Sequence, residues 1–363
     1  MLELREAEGA FRRIEGWLRE RGFFAPGGEG LVADLYLGYG LSQTIRRESS
    51  PQPLEPCLSL PLAACTVRRG AYPVSQYVNT ELDHLDIGVW ERTWSAAEHG
   101  AAVDRVRAAI ALGDVYQVNV VQHLAASLEG DPTEIAGSLT AALAPLKPLH
   151  PDPFVGDDWA VVSASPELFL SRRGRRLWTK PIKGTRPVGH AEELRASEKD
   201  AAEHVMIVDL ERNDLSRVCE AGTVRWPELR ATRELAGVEH MVSTVEGTLR
   251  QGVDLAEILE ATFPGGSVTG APKIAAVDLI AGIEPVGRGA SMGALGRVHG
   301  NGDFDLALTI RTFAIADGRI HLWVGGGVVW DSDPASEVEE SWTKARPLLD
   351  AIGSVADAPA GRR

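Results

Sequence analysis

DLALTIRTFAIA (residues 305–316), DG (317–318), RIHLWVGGGVVW (319–330) and DSDPASEVEESWTKARPLLDA (331–351) together decide the fold class. Two apolar runs flank an Asp-Gly pair, the strongest short-range signal for a hairpin, so the spacing predicts antiparallel strands over 305–316 and 319–330. A closing helix is expected from about 334 to 351. Outward from there, FPGGSVTGAPK (263–273) reads as a Gly-rich loop opening a helix at about 272–281, behind a helical segment at 254–263. Another element ends at VEHMVSTVEGTL (238–249), and a long helix is expected over 191–213. Residues 159–180 predict a strand pair, WAVVSASPELFLS and RRLWTK, turning at Gly174. VYQVNVVQHL (115–124) reads as a strand, and 95–112 as a helix ended by Gly113-Asp114. Strands and helices without regular βαβ alternation imply an α+β fold built on antiparallel sheets.

Near the start, MLELREAEGAFRRIEGWLRERGFF reads as an amphipathic helix rather than a signal peptide. Residues 48–56 are expected to form a loop, and VADAPAGRR a disordered tail. The expected organisation is a short N-terminal region (1–80) completing the fold, a catalytic domain (81–352) and a flexible tail (353–363).

Composition excludes several classes. A net charge of −14 in 363 residues argues against nucleic acid, which needs a basic face. No apolar run reaches the ~18–20 residues that span a bilayer, so no membrane partner is expected. Three cysteines in unrelated contexts fit a reducing cytosol better than a disulfide framework, and a soluble, cytoplasmic protein is expected.

Several residues stand out chemically. Glu203 shares a helical stripe with Met206, Ile207 and Leu210, with Asp200 one turn before it, and a carboxylate on an apolar face needs a cation or a partner. Glu337 and Glu340 repeat the pattern on the last helix, with Lys344 four residues beyond Glu340. That arrangement also suits a solvated face with an ordinary Glu–Lys pair. Oxygen ligands without Cys or His clusters suit Mg²⁺. Gly265-Gly266-Ser267-Val268-Thr269-Gly270 precedes a helix and can cradle an anion with its N–H groups. Gly325-Gly326-Gly327 in an apolar strand implies close approach of a ligand or of another backbone. Arg311, expected within a strand, needs an anion. Lys183, between a strand and the long helix, becomes a usable nucleophile if burial or a nearby cation lowers its pKa.

Eight strings together resemble the chorismate-utilising enzymes: YQVNVVQ (116–122), SPELF (165–169), PIKGTRP (181–187), KDAAEHVMIVDLERNDL (199–215), EHMVSTVEG (239–247), FPGGSVTGAPK (263–273), DFDLALTIRT (303–312) and GGGVVWDSDPASEVEESWTKA (325–345). The resemblance implies a two-sheet α/β/β/α sandwich with chorismate between the sheets and Mg²⁺ at its ring carboxylate. It implies Glu203 and Glu340 as metal ligands, with Asp200 and Glu337 behind them holding metal-bound water. It implies substrate contacts from Gly184, Thr185, Ser267, Thr269, Gly270, Arg311, Gly325 and Gly327. His240 then lies near the reacting ring, and Glu167 is the acid that helps the C4 hydroxyl leave.

Two positions discriminate within the resemblance. Members that add water carry a base lysine where this chain has Gln117, and an amide takes no proton from water at neutral pH. Lys183 stands where anthranilate-forming members have alanine and aminodeoxychorismate-forming members have lysine. The expectation is therefore the aminodeoxychorismate-forming branch, on the route to para-aminobenzoate and folate. Anthranilate formation is the alternative, and an idle chorismate-binding subunit the third reading. No cysteine sits in a Gly-x-Cys-x-Gly context, so ammonia is expected from a glutamine amidotransferase partner, and no lyase domain is expected. Ser291 replaces a frequent pocket aromatic, Arg297 is expected to offer a contact to a carboxylate, and no tryptophan-pocket string is found.

Overall fold

Asp317 and Gly318 both take left-handed dihedrals, φ 55° and 70°, and Ala316 pairs directly with Arg319, so the quoted hairpin closes in two residues. The computed structural model describes residues 1–47, 52–70, 85–235 and 238–355, without the side chains of Thr185, Lys199 and Leu235. The expected loop at 48–56 and the expected tail therefore lie partly outside the described residues.

In chain order the elements are β1 (Leu2–Leu4), α1 (Ala10–Glu20), β2 (Leu31–Leu37), β3 (Ala63–Arg69), β4 (Glu91–Arg92), α2 (Ala96–Leu112), β5 (Gln117–Ser127), α3 (Pro132–Leu143), β6 (Phe154–Val155), β7 (Trp159–Ser163), β8 (Leu168–Arg173) and β9 (Arg176–Lys180). They continue with β10 (Ile182–Pro187), α4 (Ala191–Ala196), α5 (Glu198–Ser216), β11 (Arg225–Leu235), β12 (Val238–Thr248), α6 (Leu255–Thr262), β13 (Gly270–Ala271), α7 (Lys273–Ile283), β14 (Ala294–His299), β15 (Phe304–Leu308), β16 (Thr312–Ala316), β17 (Arg319–Val328) and α8 (Pro334–Ala351).

One sheet has ten strands in the order β1-β3-β2-β14-β15-β8-β9-β12-β10, with β11 also on β12. The other has seven, in the order β13-β5-β17-β16-β7-β6, with β4 also on β5. Every described ladder is antiparallel, as the α+β expectation requires. Side-chain alternation separates two cores, as a period of two demands. On β5, Val121 joins the core against the ten-stranded sheet, while Leu124 and Ala126 point the other way, to α3 and α8. On β16, Ala314 and Ala316 face the first core, and Phe313 and Ile315 the second.

Three expectations are corrected. The strings 159–171 and 305–316 are not single strands: each breaks and changes sheet, at residues 164–167 and 309–311. Backbone bonds tie these two crossings together, Ala164 N–H to Arg311 O at 2.9 Å and Leu308 N–H to Glu167 O at 3.0 Å. The long helix at 191–213 is two helices, because Ser197 leaves helical dihedrals and its hydroxyl caps Asp200 N–H at 3.2 Å, starting α5 afresh. The N-terminal helix spans only Ala10–Glu20, because Leu2–Leu4 pairs with β3 instead. Elsewhere local signals hold. Ser95 and Glu98 form a capping box ahead of α2, and left-handed Gly113 ends that helix. Among the described residues, no helix is long and apolar enough to cross a membrane.

Candidate active site

The two sheet crossings deliver Glu167 and Arg311, and the edge strand β10 delivers Lys183. Arg311 is therefore corrected from a strand residue to a crossing residue, held at φ 51°. Glu167 is buried, its Oε1 accepting from Ser267 Oγ at 2.8 Å and from Ile182 N–H at 3.4 Å. Burial pushes its carboxyl above the ordinary range, against the opposing pull of the Ser267 bond, Lys183 and Arg311. Burial pushes the Lys183 amine down and Lys344 adds to this, while Glu167, Glu203 and Glu340 oppose it. An acid held up beside an amine held down is the arrangement that proton-transfer and nucleophilic chemistry need at neutral pH.

A register shift between Lys183 and Thr185 centres on Gly184, whose φ is 67°. A Cβ at Gly184 would lie 2.5 Å from Leu194 and 3.3 Å from Asp200, so only glycine fits this bulge. The bulge aims the Gly184 carbonyl at His240 Nδ1, 3.1 Å away on β12. A carbonyl only accepts, so Nδ1 is the protonated nitrogen of this ring. Burial lowers the His240 pKa, keeping the imidazole neutral. The backbone of Thr185 pairs with His240, and its side chain lies outside those described.

The glycines of β17 separate by function. A Cβ on Gly325 would collide with the Val120 carbonyl of β5, so the close approach there is to another backbone. A Cβ on Gly327 would lie 2.5 Å from the amide of Gln117, and one on Gly326 would lie 3.3 Å from both Glu337 and Glu340. Gln117 is fully buried and its amide bonds to no described residue, leaving both a donor and an acceptor for a ligand. The Gly265–Gly270 loop spends part of its polarity internally: Thr269 Oγ1 donates to Gly265 O at 2.9 Å. Gly270, at φ 144°, lies too close to the Gln117 carbonyl for any side chain.

The expected carboxylates lie on α5 and α8. Glu203 and Glu340 both act on the charge of Lys183. Behind them, Glu337 accepts from Ser332 Oγ at 2.6 Å and Asp200 from Arg186 at 2.9 Å. Lys344 bonds Glu340 Oε1 at 2.7 Å and the Gly325 carbonyl at 2.8 Å, so a cation already occupies this corner. Among the described residues no group of three or more His, Cys, Asp or Glu could hold a metal ion. Glu203 and Glu340 offer hard oxygen donors, the kind of ligand that Mg²⁺ takes in small number with water completing its shell.

Arg297 does not offer a contact to a substrate carboxylate. It pairs with Asp34 at 3.1 Å and with Asp152. Ser291 is fully buried and donates to Thr309 O at 3.4 Å. Sequence reading passed over Glu211, buried on α5, although a carboxylate between Leu210 and Leu215 was a visible signal.

The family described as chorismate binding enzyme matches residues 63–350. The chain is 41% identical over 286 residues to anthranilate synthase component 1 of Streptomyces coelicolor, covering 75% of this chain and 54% of that protein. It is 40% identical over 263 residues to aminodeoxychorismate synthase component 1 of Bacillus subtilis, covering 69% and 54%. The chain thus spans little more than half the length of these relatives. Among solved structures it is similar to anthranilate synthase component I of Streptococcus pneumoniae, with TM-score 0.76 at 25% identity over 92% of this chain and 84% of that one. The menaquinone-specific isochorismate synthase of Escherichia coli shares the fold, with TM-score 0.73 at 18% identity over 97% and 84%.

Proposed function

The chain belongs to the chorismate binding enzyme family, and on that premise we propose that it is the catalytic component of an aminodeoxychorismate synthase, converting chorismate and ammonia to 4-amino-4-deoxychorismate. The observation that carries this reading is Lys183, an amine pushed down by burial and facing an acid, Glu167, that is pushed up. The neutral amine adds to C2 of chorismate while Glu167 protonates the C4 hydroxyl, which leaves as water. Ammonia then adds at C4 and displaces the Lys183 amine from C2, returning the side chain to its starting state. Arg311 and the N–H groups of the Gly-rich loop are suited to the substrate carboxylates, and neutral His240 to the ring. Glu203 and Glu340 would hold Mg²⁺, with Asp200 and Glu337 behind them, and the ion would supply charge neutralisation and orientation of the ring carboxylate. Gln117 supports amination over water addition, because an amide is no base at neutral pH.

The relatives' designation as component 1 supports a second component, proposed here as a glutamine amidotransferase that supplies ammonia. Three buried, free cysteines fit the reducing cytoplasm where para-aminobenzoate and folate synthesis would place the chain. The test is the product formed from chorismate, Mg²⁺ and ammonium, identified by mass and absorbance: aminodeoxychorismate is expected. A second reading, anthranilate synthase component 1, is favoured by the 41% identity to the Streptomyces coelicolor protein, and anthranilate as the product would establish it.

A further inference from the structure

Glu211 is only 4% exposed, and the substrate chemistry proposed above makes no use of it. Its Oε1 accepts from Gly266 N–H at 3.1 Å. A Cβ on Gly266 would lie 2.6 Å from Leu210 and 3.1 Å from that same Oε1, so the loop lies flush against α5. The next residue is Ser267, whose hydroxyl reaches Glu167 at 2.8 Å. Downstream, Arg288 donates to Val268 O at 2.9 Å and Asn119 N–H to Thr269 O at 2.8 Å. Glu211 is thus the side-chain anchor on the upstream side of Ser267, and Arg288 and Asn119 hold the downstream side.

We propose that Glu211 is a positioning residue for Glu167: its carboxyl oxygen seats Gly266, and Gly266 holds Ser267 in its hydrogen bond to the acid. This role rests on the reading of Glu167 as the acid that protonates the leaving hydroxyl. The charged groups facing Glu211 are Asp214 on its own helix, Lys273 at the head of α7 and Glu167 itself. The ion pair of Lys273 goes to Asp214 and not to Glu211. Burial, with Asp214 next, pushes the Glu211 carboxyl up, toward the uncharged acid. An uncharged anchor adds no second anion beside Glu167.

The Ser267 bond holds the Glu167 pKa lower than burial alone would set it. Losing the anchor therefore raises that pKa, and this can be read without turnover. In protein labelled with carbon-13 at glutamate side-chain carboxyls, the Glu167 signal is assigned by its loss in Glu167→Gln. Glu211→Ala is expected to titrate with a midpoint about half a pH unit or more higher than wild type, as is Ser267→Ala. The double variant should shift no further than either alone, because both act through one bond. Glu211→Met keeps the volume, serves if the alanine variant does not fold, and should shift the same way. Glu211→Gln keeps the oxygen and should restore the wild-type midpoint. In turnover with chorismate and ammonium, Glu211→Ala should lower kcat roughly tenfold with KM within about twofold. An unshifted Glu167 in both Glu211→Ala and Glu211→Met, or additive shifts in the double variant, would overturn the inference. A wild type that forms no amine product while these shifts appear defeats the proposed activity and leaves the positioning role standing.

Discussion

The Ser267 hydroxyl donates to Glu167 Oε1 across 2.8 Å, joining segments 100 residues apart in the chain. That bond favours the ionised carboxyl and burial favours the protonated one; burial is the larger effect, so the carboxyl is held above its ordinary range. Glu167→Gln keeps the size and removes the transferable proton. We expect kcat to fall by about 10²–10⁴, with chorismate still bound in a calorimetric titration. Undiminished turnover would remove Glu167 from the chemistry.

Lys183 is tested by trapping. Chorismate without ammonia should leave a mass adduct on the peptide that contains it. Lys183→Ala should lose most aminodeoxychorismate formation while still binding chorismate, and slow anthranilate formation is expected because the small side chain opens C2. Lys183→Arg should not rescue, since a guanidinium stays protonated and is not a nucleophile. Substantial activity in the arginine variant, with no adduct in wild type, would reduce Lys183 to a charge-neutralising role.

Magnesium dependence is the expectation that the proposed roles of Glu203 and Glu340 carry. Chelation should abolish turnover, and Glu203→Gln or Glu340→Gln should weaken Mg²⁺ binding at least ~10-fold in calorimetry with chorismate present. Full activity in excess chelator would refute the metal assignment.

The glycines of β17 should separate stability from catalysis. Gly325→Ala drives a methyl group into the Val120 carbonyl, a backbone atom that cannot yield without parting β17 from β5. A loss of about 2–3 kcal/mol is expected in denaturant unfolding. Gly327→Ala meets the end of the Gln117 side chain at 2.5 Å, which can swing aside. It should unfold near wild type yet raise KM for chorismate several-fold.

Buried histidines set an acid limit. Burial pushes His99 down to about 4, His123 to about 3 and His321 to about 4. Their folded pKa values lie below the unfolded value of ~6.5, so the unfolded chain takes up protons first as pH falls. Stability should be full above about pH 6.5 and decline toward pH 4, each group contributing on the order of 1 kcal/mol per pH unit within that window. Urea midpoints at pH 7, 5.5 and 4.5 measure this, and a flat profile would contradict it.

Helix limits were legible where they are set by neighbours in sequence. Ser95 and Gly113 bracket α2, Asp254 caps α6, and Asp317-Gly318 closes the last hairpin. The sheet crossings were not. WAVVSASPELFLS and DLALTIRTFAIA read as single strands, and although Ser165-Pro166 marks a break in the first, nothing local says that the strand beyond either break joins the other sheet. Those two breaks place Glu167 and move Arg311 out of a strand, so the acid and the cation depend on information absent from any window of residues.

Residue order alone was enough for the antiparallel α+β class, for marking Lys183, Glu203 and Glu340 as candidates by side-chain type and spacing, and for the resemblance, which alone singled out Glu167. Tertiary structure decided which of those groups share a dielectric environment. Lys183 and Glu167 shift toward neutrality because the packed structure desolvates both. Arg297 is lost to the site because β2 presents Asp34 to it. Burial and pairing at this range are properties of packed surfaces, and a surface exists only once distant segments have met.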